Sequence, residues 1–119
     1  MMKTLNKLSY CINLLSLRKN IQAELNLNLD ITEKYKEYIY DFEQAVMLLN
    51  RTIEENDQIA IQCALTRIRI TSLNLSNLYA DIIDDVVSIN SQDLWPEIPE
   101  DYKIPDHYNY LSENSTTTD

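Results

Sequence analysis

The chain has 119 residues, no glycine, three prolines, two cysteines, one histidine and a formal charge of −9. A chain of this length makes one domain that buries about two-thirds of its unfolded surface, and the lack of glycine argues against tight primed hairpins and excludes the Walker and dinucleotide-binding motifs. Residues 1–80 hold nine acids and nine bases, whereas residues 81–119 hold ten acids against Lys103 alone, a balance that disfavours direct nucleic-acid binding and suits a basic partner.

Over residues 4–27, Leu5, Leu8, Ile12 and Leu15 form one apolar stripe and Leu14, Leu17, Ile21 and Leu25 an adjoining one, which predicts an amphipathic helix with a wide buried face. Lys3 and Lys7 ahead of an apolar run faintly mimic a signal peptide. Ser9, Asn13 and Ser16 interrupt that run and no small-residue cleavage site follows, so it reads as mature helix. No segment reaches the ~20 apolar residues of a membrane span, and a cytoplasmic location is expected. Cys11, with Cys63 further on, sits among apolar neighbours; both are expected to be small buried hydrophobes in a reducing compartment. The alternation in LNLNLDI is read as a fraying helix end, because a lone strand leaves its backbone groups unpaired. Asp30 and Glu33 then have the spacing of a capping box.

Residues 31–55 are the clearest helix. Ile31, Tyr35, Tyr38, Phe42, Ala45, Leu49 and Thr52 recur at four- and three-residue steps, and Ile39, Val46 and Ile53 widen the stripe enough for two neighbouring helices. Phe42, flanked by apolar positions, is expected at the centre of the core. Glu54 to Gln58 (EENDQ) is a polar cluster in which Asn56 or Asp57 can cap a new helix, predicting an αα-hairpin. The third helix is expected over residues 58–90, with a possible division into a third and fourth helix at the β-branched stretch 66–76. A continuous third helix would be about 50 Å long against about 36 Å for its neighbours. Its end, with Ile82, Ile83, Val86, Val87 and Ile89, overshoots and requires a cover, for which residues 91–111 folding back are the expected candidate.

From Ser91 onward the helical period ends, and three prolines interleave with acids, aromatics and aliphatics. The expected organisation is an all-α antiparallel bundle of three long helices, or four, over residues 1–90. An extended acidic-aromatic segment follows over 91–111, packed on the bundle or on a partner, and then a disordered tail over 112–119.

His107 and the distant cysteines have no zinc-ligand spacing, and no nucleophile has an identifiable base. Asp81, Asp84 and Asp85 share a helical face, which is far more often solvated than a cation site. The three Asn-x-Ser/Thr tripeptides carry no weight. No metal, cofactor or enzymatic activity is therefore expected. The candidate partner-binding residues are Asp81, Asp84, Asp85, Asp93, Trp95, Glu97, Glu100, Asp101, Tyr102, Asp106, Tyr108 and Tyr110. Carboxylates steer encounter with a basic surface, and aromatic anchors supply desolvated contact. The function this implies is binding and inhibition of a basic nucleic-acid-binding protein, such as a nuclease or effector, by an acidic surface that substitutes for phosphate. Immunity proteins, antitoxins and phage anti-defence inhibitors work on that logic. The alternative is a helical adaptor or assembly subunit acting through apolar helix contacts, including those of a homodimer.

Overall fold

A computed structural model of the chain describes residues 1–21, 24–27 and 30–108. Three α-helices follow one another: α1 (Met2–Arg18), α2 (Ile31–Glu54) and α3 (Gln58–Asn90), with a single 3-10 turn at Asp106–Tyr108. Among the described residues there is no strand. α3 runs unbroken through residues 66–76, where the hydroxyls of Thr66 and Thr71 donate to the carbonyls of Gln62 and Arg67 one turn back, at 3.0 and 2.9 Å. Back-bonding lets these β-branched residues sit within the helix.

The chain lacks glycine, and asparagine takes its place at both helix ends that need a left-handed residue. Asn20 has φ 51° and Asn56 has φ 53°. At the end of α1, Asn20 N–H donates to Leu17 O and Ile21 N–H to Ser16 O; at the end of α2, Asn56 N–H donates to Ile53 O and Asp57 N–H to Thr52 O. Each is a Schellman pair that satisfies the last carbonyls. This stops α1 at Arg18, nine residues short of the helix expected over 4–27, since its second apolar stripe continues through Ile21 and Leu25 into a non-helical connection. At the hairpin the αL residue is followed at once by the cap of α3, because the Asp57 carboxylate accepts from Ala60 N–H at 3.1 Å. The capping box expected at Asp30 and Glu33 does not form: Asp30 makes no side-chain cap bond and lies 3.9 Å from Lys34 Nζ instead.

α2 and α3 pack as a long antiparallel hairpin through small residues. Ala45, Thr52 and Ala64 are buried where the two helices meet, and small side chains allow close approach. The bulky Phe42 is therefore displaced to one shoulder and only half-buried, not central as its flanking pattern implies. The main core lies at the other end, where Leu5 and Ile12 of α1, Ile21 and Leu27 of the connection, Ile31 of α2, and Leu78 and Ile89 of α3 form one buried cluster. α1 starts beside the first turn of α2, with the Thr32 hydroxyl on Met2 O at 3.3 Å and against Asn6 Oδ1. Its Ile12 and Leu15 lie against Val86, Ile89 and Trp95 beyond the start of α2. α1 is thus the cover that the overshooting end of α3 requires, although Ile83, Val86 and Val87 keep an exposed side.

Substituting the αL asparagines tests the terminus chemistry. Asn56→Gly should raise unfolding free energy by roughly 0.5 kcal/mol, and Asn56→Ala should lower it by about 1 kcal/mol, because a Cβ is strained in that conformation. Urea denaturation of both variants measures the difference; equal stability of the two would show that the φ 53° conformation is not held.

Candidate protein-binding surface

Among the described acidic residues of the last third, all but one are exposed. Asp81 and Asp84 are exposed on α3, Asp93 is exposed just after it, and Glu97, Glu100, Asp101 and Asp106 are exposed along the extended segment. Asp85 departs from the expectation. It is 1 % exposed, and its two carboxylate oxygens accept the backbone N–H groups of Asn26 at 2.8 Å and Leu27 at 2.6 Å. No cationic side chain pairs with it among the described residues, so the charge is held by two short charge-assisted hydrogen bonds. Asp85 is therefore a structural clamp on the α1–α2 connection and cannot present its carboxylate to a partner. The sequence does contain a signal for this: Ala64, Thr71, Leu78 and Asp85 follow one another at seven-residue steps, so the acid stands in line with the buried face of α3.

The segment after α3 divides at Trp95. Gln92 Nε2 donates to Ser88 O at 2.9 Å, and the Trp95 indole N–H donates to Ile89 O at 2.8 Å. Both occupy carbonyls of the last turn that have no partner within the helix. The Trp95 ring packs against the main core, and Lys19 Nζ stands 5.0 Å from its centroid, a cation–π contact between the end of α1 and the end of α3. Trp95 thus docks within its own chain. Beyond it the chain leaves the body. Ile98 is 82 % exposed, and Tyr102, Ile104 and Tyr108 are also exposed. Two backbone bonds shape this stretch, Tyr102 N–H to Pro99 O at 3.1 Å and Tyr108 N–H to Pro105 O at 3.2 Å, so each turn begins on a proline. The ring centroids of His107 and Tyr108 lie 4.4 Å apart, with the rings tilted by 33°. Tyr110 and the tail expected over 112–119 lie outside the described residues.

The remaining candidate chemistry is sparse. Cys11 and Cys63 are free and both exposed, contrary to the buried positions expected for them. Their apolar sequence neighbours occupy the other faces of α1 and α3. Among the described residues, no group of three His, Cys, Asp or Glu side chains is placed to hold a metal ion, and no helix is long and apolar enough to cross a membrane. A cleft of about 110 Å³ opens between the connection and the hairpin, bordered by Leu27, Ile31, Lys34, Tyr38, Asn77 and Asp81. That cleft is below the ~300 Å³ at which small-molecule sites begin, while a more open groove on the hairpin beside Ala45, Arg67 and Ile70 measures about 310 Å³. Burial first, and the neighbouring Tyr79 phenol second, raise the pKa of Tyr35 above the ordinary tyrosine value. Comparison of the chain with protein-family models, with curated proteins and with solved structures finds no match to any.

Two substitutions separate structural from surface roles. Asp85→Asn leaves one of the two backbone donors facing an NH2 group and should cost about 2–3 kcal/mol, and hydrogen exchange should show the Leu27 amide losing protection. An unchanged exchange rate there would refute the clamp. Trp95→Phe keeps most of the packing but removes the N–H, and should cost roughly 1 kcal/mol in thermal or urea unfolding; a neutral result would mean that Ile89 O finds water instead.

Proposed function

We propose that this chain is a non-enzymatic binding protein whose extended segment, residues 96–108, engages and inhibits a basic, nucleic-acid-binding protein. The observation that carries this reading is the exposure of that segment. Ile98, Tyr102, Ile104 and Tyr108 leave the core together, interleaved with Glu97, Glu100, Asp101 and Asp106, and only Lys103 offsets the charge. Isolated exposed aliphatics are ordinary, but a run of aromatic and aliphatic side chains held between prolines is the form of a recognition strand. Its turns at Pro99 and Pro105 reduce the conformational entropy lost on docking. Asp81, Asp84 and Asp93 extend the negative field back along the body and favour encounter with cationic clefts of the kind that bind phosphate. Immunity proteins, antitoxins and anti-defence inhibitors are the functional classes that match this chemistry.

The test is kinetic and begins with affinity purification from the source cells to obtain the partner, which should be a basic nuclease or nucleic-acid-binding effector. Neutralising Asp84, Asp93, Glu97, Glu100 and Asp101 to Asn or Gln should slow association by about tenfold or more at low ionic strength and flatten its salt dependence. Helix content should be unchanged, because all five side chains are exposed. Tyr102→Ala should instead shorten residence time. Nucleic acid should compete with the wild-type chain for the partner. Affinity indifferent to both salt and the five neutralisations would overturn the acidic-mimic reading.

A further inference from the structure

The groove that α1 occupies continues past the start of α1, where none of the described residues covers it. α1 lies on one side of the α2–α3 pair, reaching Thr32 on α2 and Val86 on α3. Seven-residue steps stay on one side of a packed helix. From Thr32 they lead to Ile39, Val46 and Ile53; from Val86 they lead back to Tyr79, Ser72 and Leu65. The larger rim residues Val46, Ile53, Leu65 and Tyr79 are between 40 and 56 % exposed. Between the rims, Phe42, Leu49, Ile61, Ile68 and Leu75 are half-buried. No member of this set is charged. The opposite side of the same hairpin is mixed, since its groove is bordered by Asp41, Gln44, Arg67 and Asn74 together with Ala45, Ile70 and Thr71. The arm therefore has one uncharged side and one mixed, polar side that carries charges, and the uncharged one is the continuation of an interface that α1 already forms.

We propose that the occupant of this groove is the same groove of a second copy, with two α2–α3 arms packed face to face into a four-helix core. An uncharged face brings no like-charge repulsion when it meets its own copy, and one patch serving both partners is the rule for two-fold dimers. α1 protrudes at the base of each arm, so the arms run in opposite directions and the tip of each ends against the other copy's α1. The free run from Ile39 to the hairpin turn is about 24 Å and is the same on both copies, so the two lengths match by symmetry. Its exposed apolar side chains offer on the order of 500–600 Å² per copy, and the polar rims bring the total to the ~1,200 Å² at which specific interfaces begin. None of residues 96–108 is involved, so the dimer is independent of the acidic-segment reading.

Sedimentation velocity of the full chain between about 1 and 100 μM tests the proposal. The expected result is a reversible dimer that dissociates on dilution. Val46→Glu and Leu65→Glu place a charge in the apolar groove at positions that are solvent-exposed in the single chain. Each should raise the dissociation constant about 100-fold or more while circular dichroism stays that of the wild type. Ile70→Glu is the control. It is also about half-exposed but lies on the polar side of the arm, and it should leave the dimer intact. A wild-type chain that stays monomeric throughout overturns the proposal and leaves a helix of another protein as the occupant. A dimer that survives both groove substitutions, or that Ile70→Glu disrupts equally, also overturns it, because the interface is then elsewhere.

Discussion

The body of this protein depends on one buried carboxylate. α1 ends at an asparagine in the left-handed conformation, and the chain must then return from the far end of α3 to the start of α2. Asp85 solves this by accepting two consecutive N–H groups of the returning chain. Leu27 is thereby fixed in the core beside Ile31 and Leu78, and α1 is fixed over the protruding end of α3. Burying an ion without a countercharge costs several kcal/mol unless its oxygens are hydrogen-bonded. The cost is accepted where a connection of low regularity needs to follow a single path.

The helices were legible because their apolar periods are long and regular. The hairpin was legible because Asn and Asp stand together at its tip. What the pattern hid is physical in each case. Asp85 is an acid in a run of acids, and composition places it with Asp81 and Asp84; only its seven-residue step from Leu78 places it inside. The pattern overextends α1 because Ile21 and Leu25 continue its apolar stripe, yet Ile21 is buried and Leu25 half-buried from the connection once Asn20 has turned the chain. The pattern makes Phe42 central because the stripe positions that flank it are apolar. Close helix contact is instead set by the smallest residues, Ala45 and Ala64, which leaves the large ones at the shoulder. The cysteines show the converse, since apolar neighbours in sequence point to other faces of a helix.

Of the candidate surface, the extended acidic stretch was legible and the division within it was not. Trp95 is the most hydrophobic aromatic of the segment and was grouped with its anchors. A tryptophan six residues beyond Ile89 reaches back to cap that residue's carbonyl, and its ring then closes the end of the core under Lys19. What lies beyond Trp95 is left to the solvent, with Ile98 the most exposed aliphatic of the stretch. The same contact that finishes the body therefore defines where the free segment begins.

The two exposed regions follow from one mismatch of lengths. α3 is 33 residues long, α2 is 24 and α1 is 17, so α1 can cover either the protruding end of α3 or the length of the hairpin, but not both. Placing it at the protruding end protects Ile82 and Ile89, and Asp85 and Trp95 secure it there. The distal hairpin is then left as two helices, each with an apolar shoulder wide enough for a third. Two helices in water gain little beyond their mutual contact line. Their shoulders remain exposed to whatever helical surface can complete them.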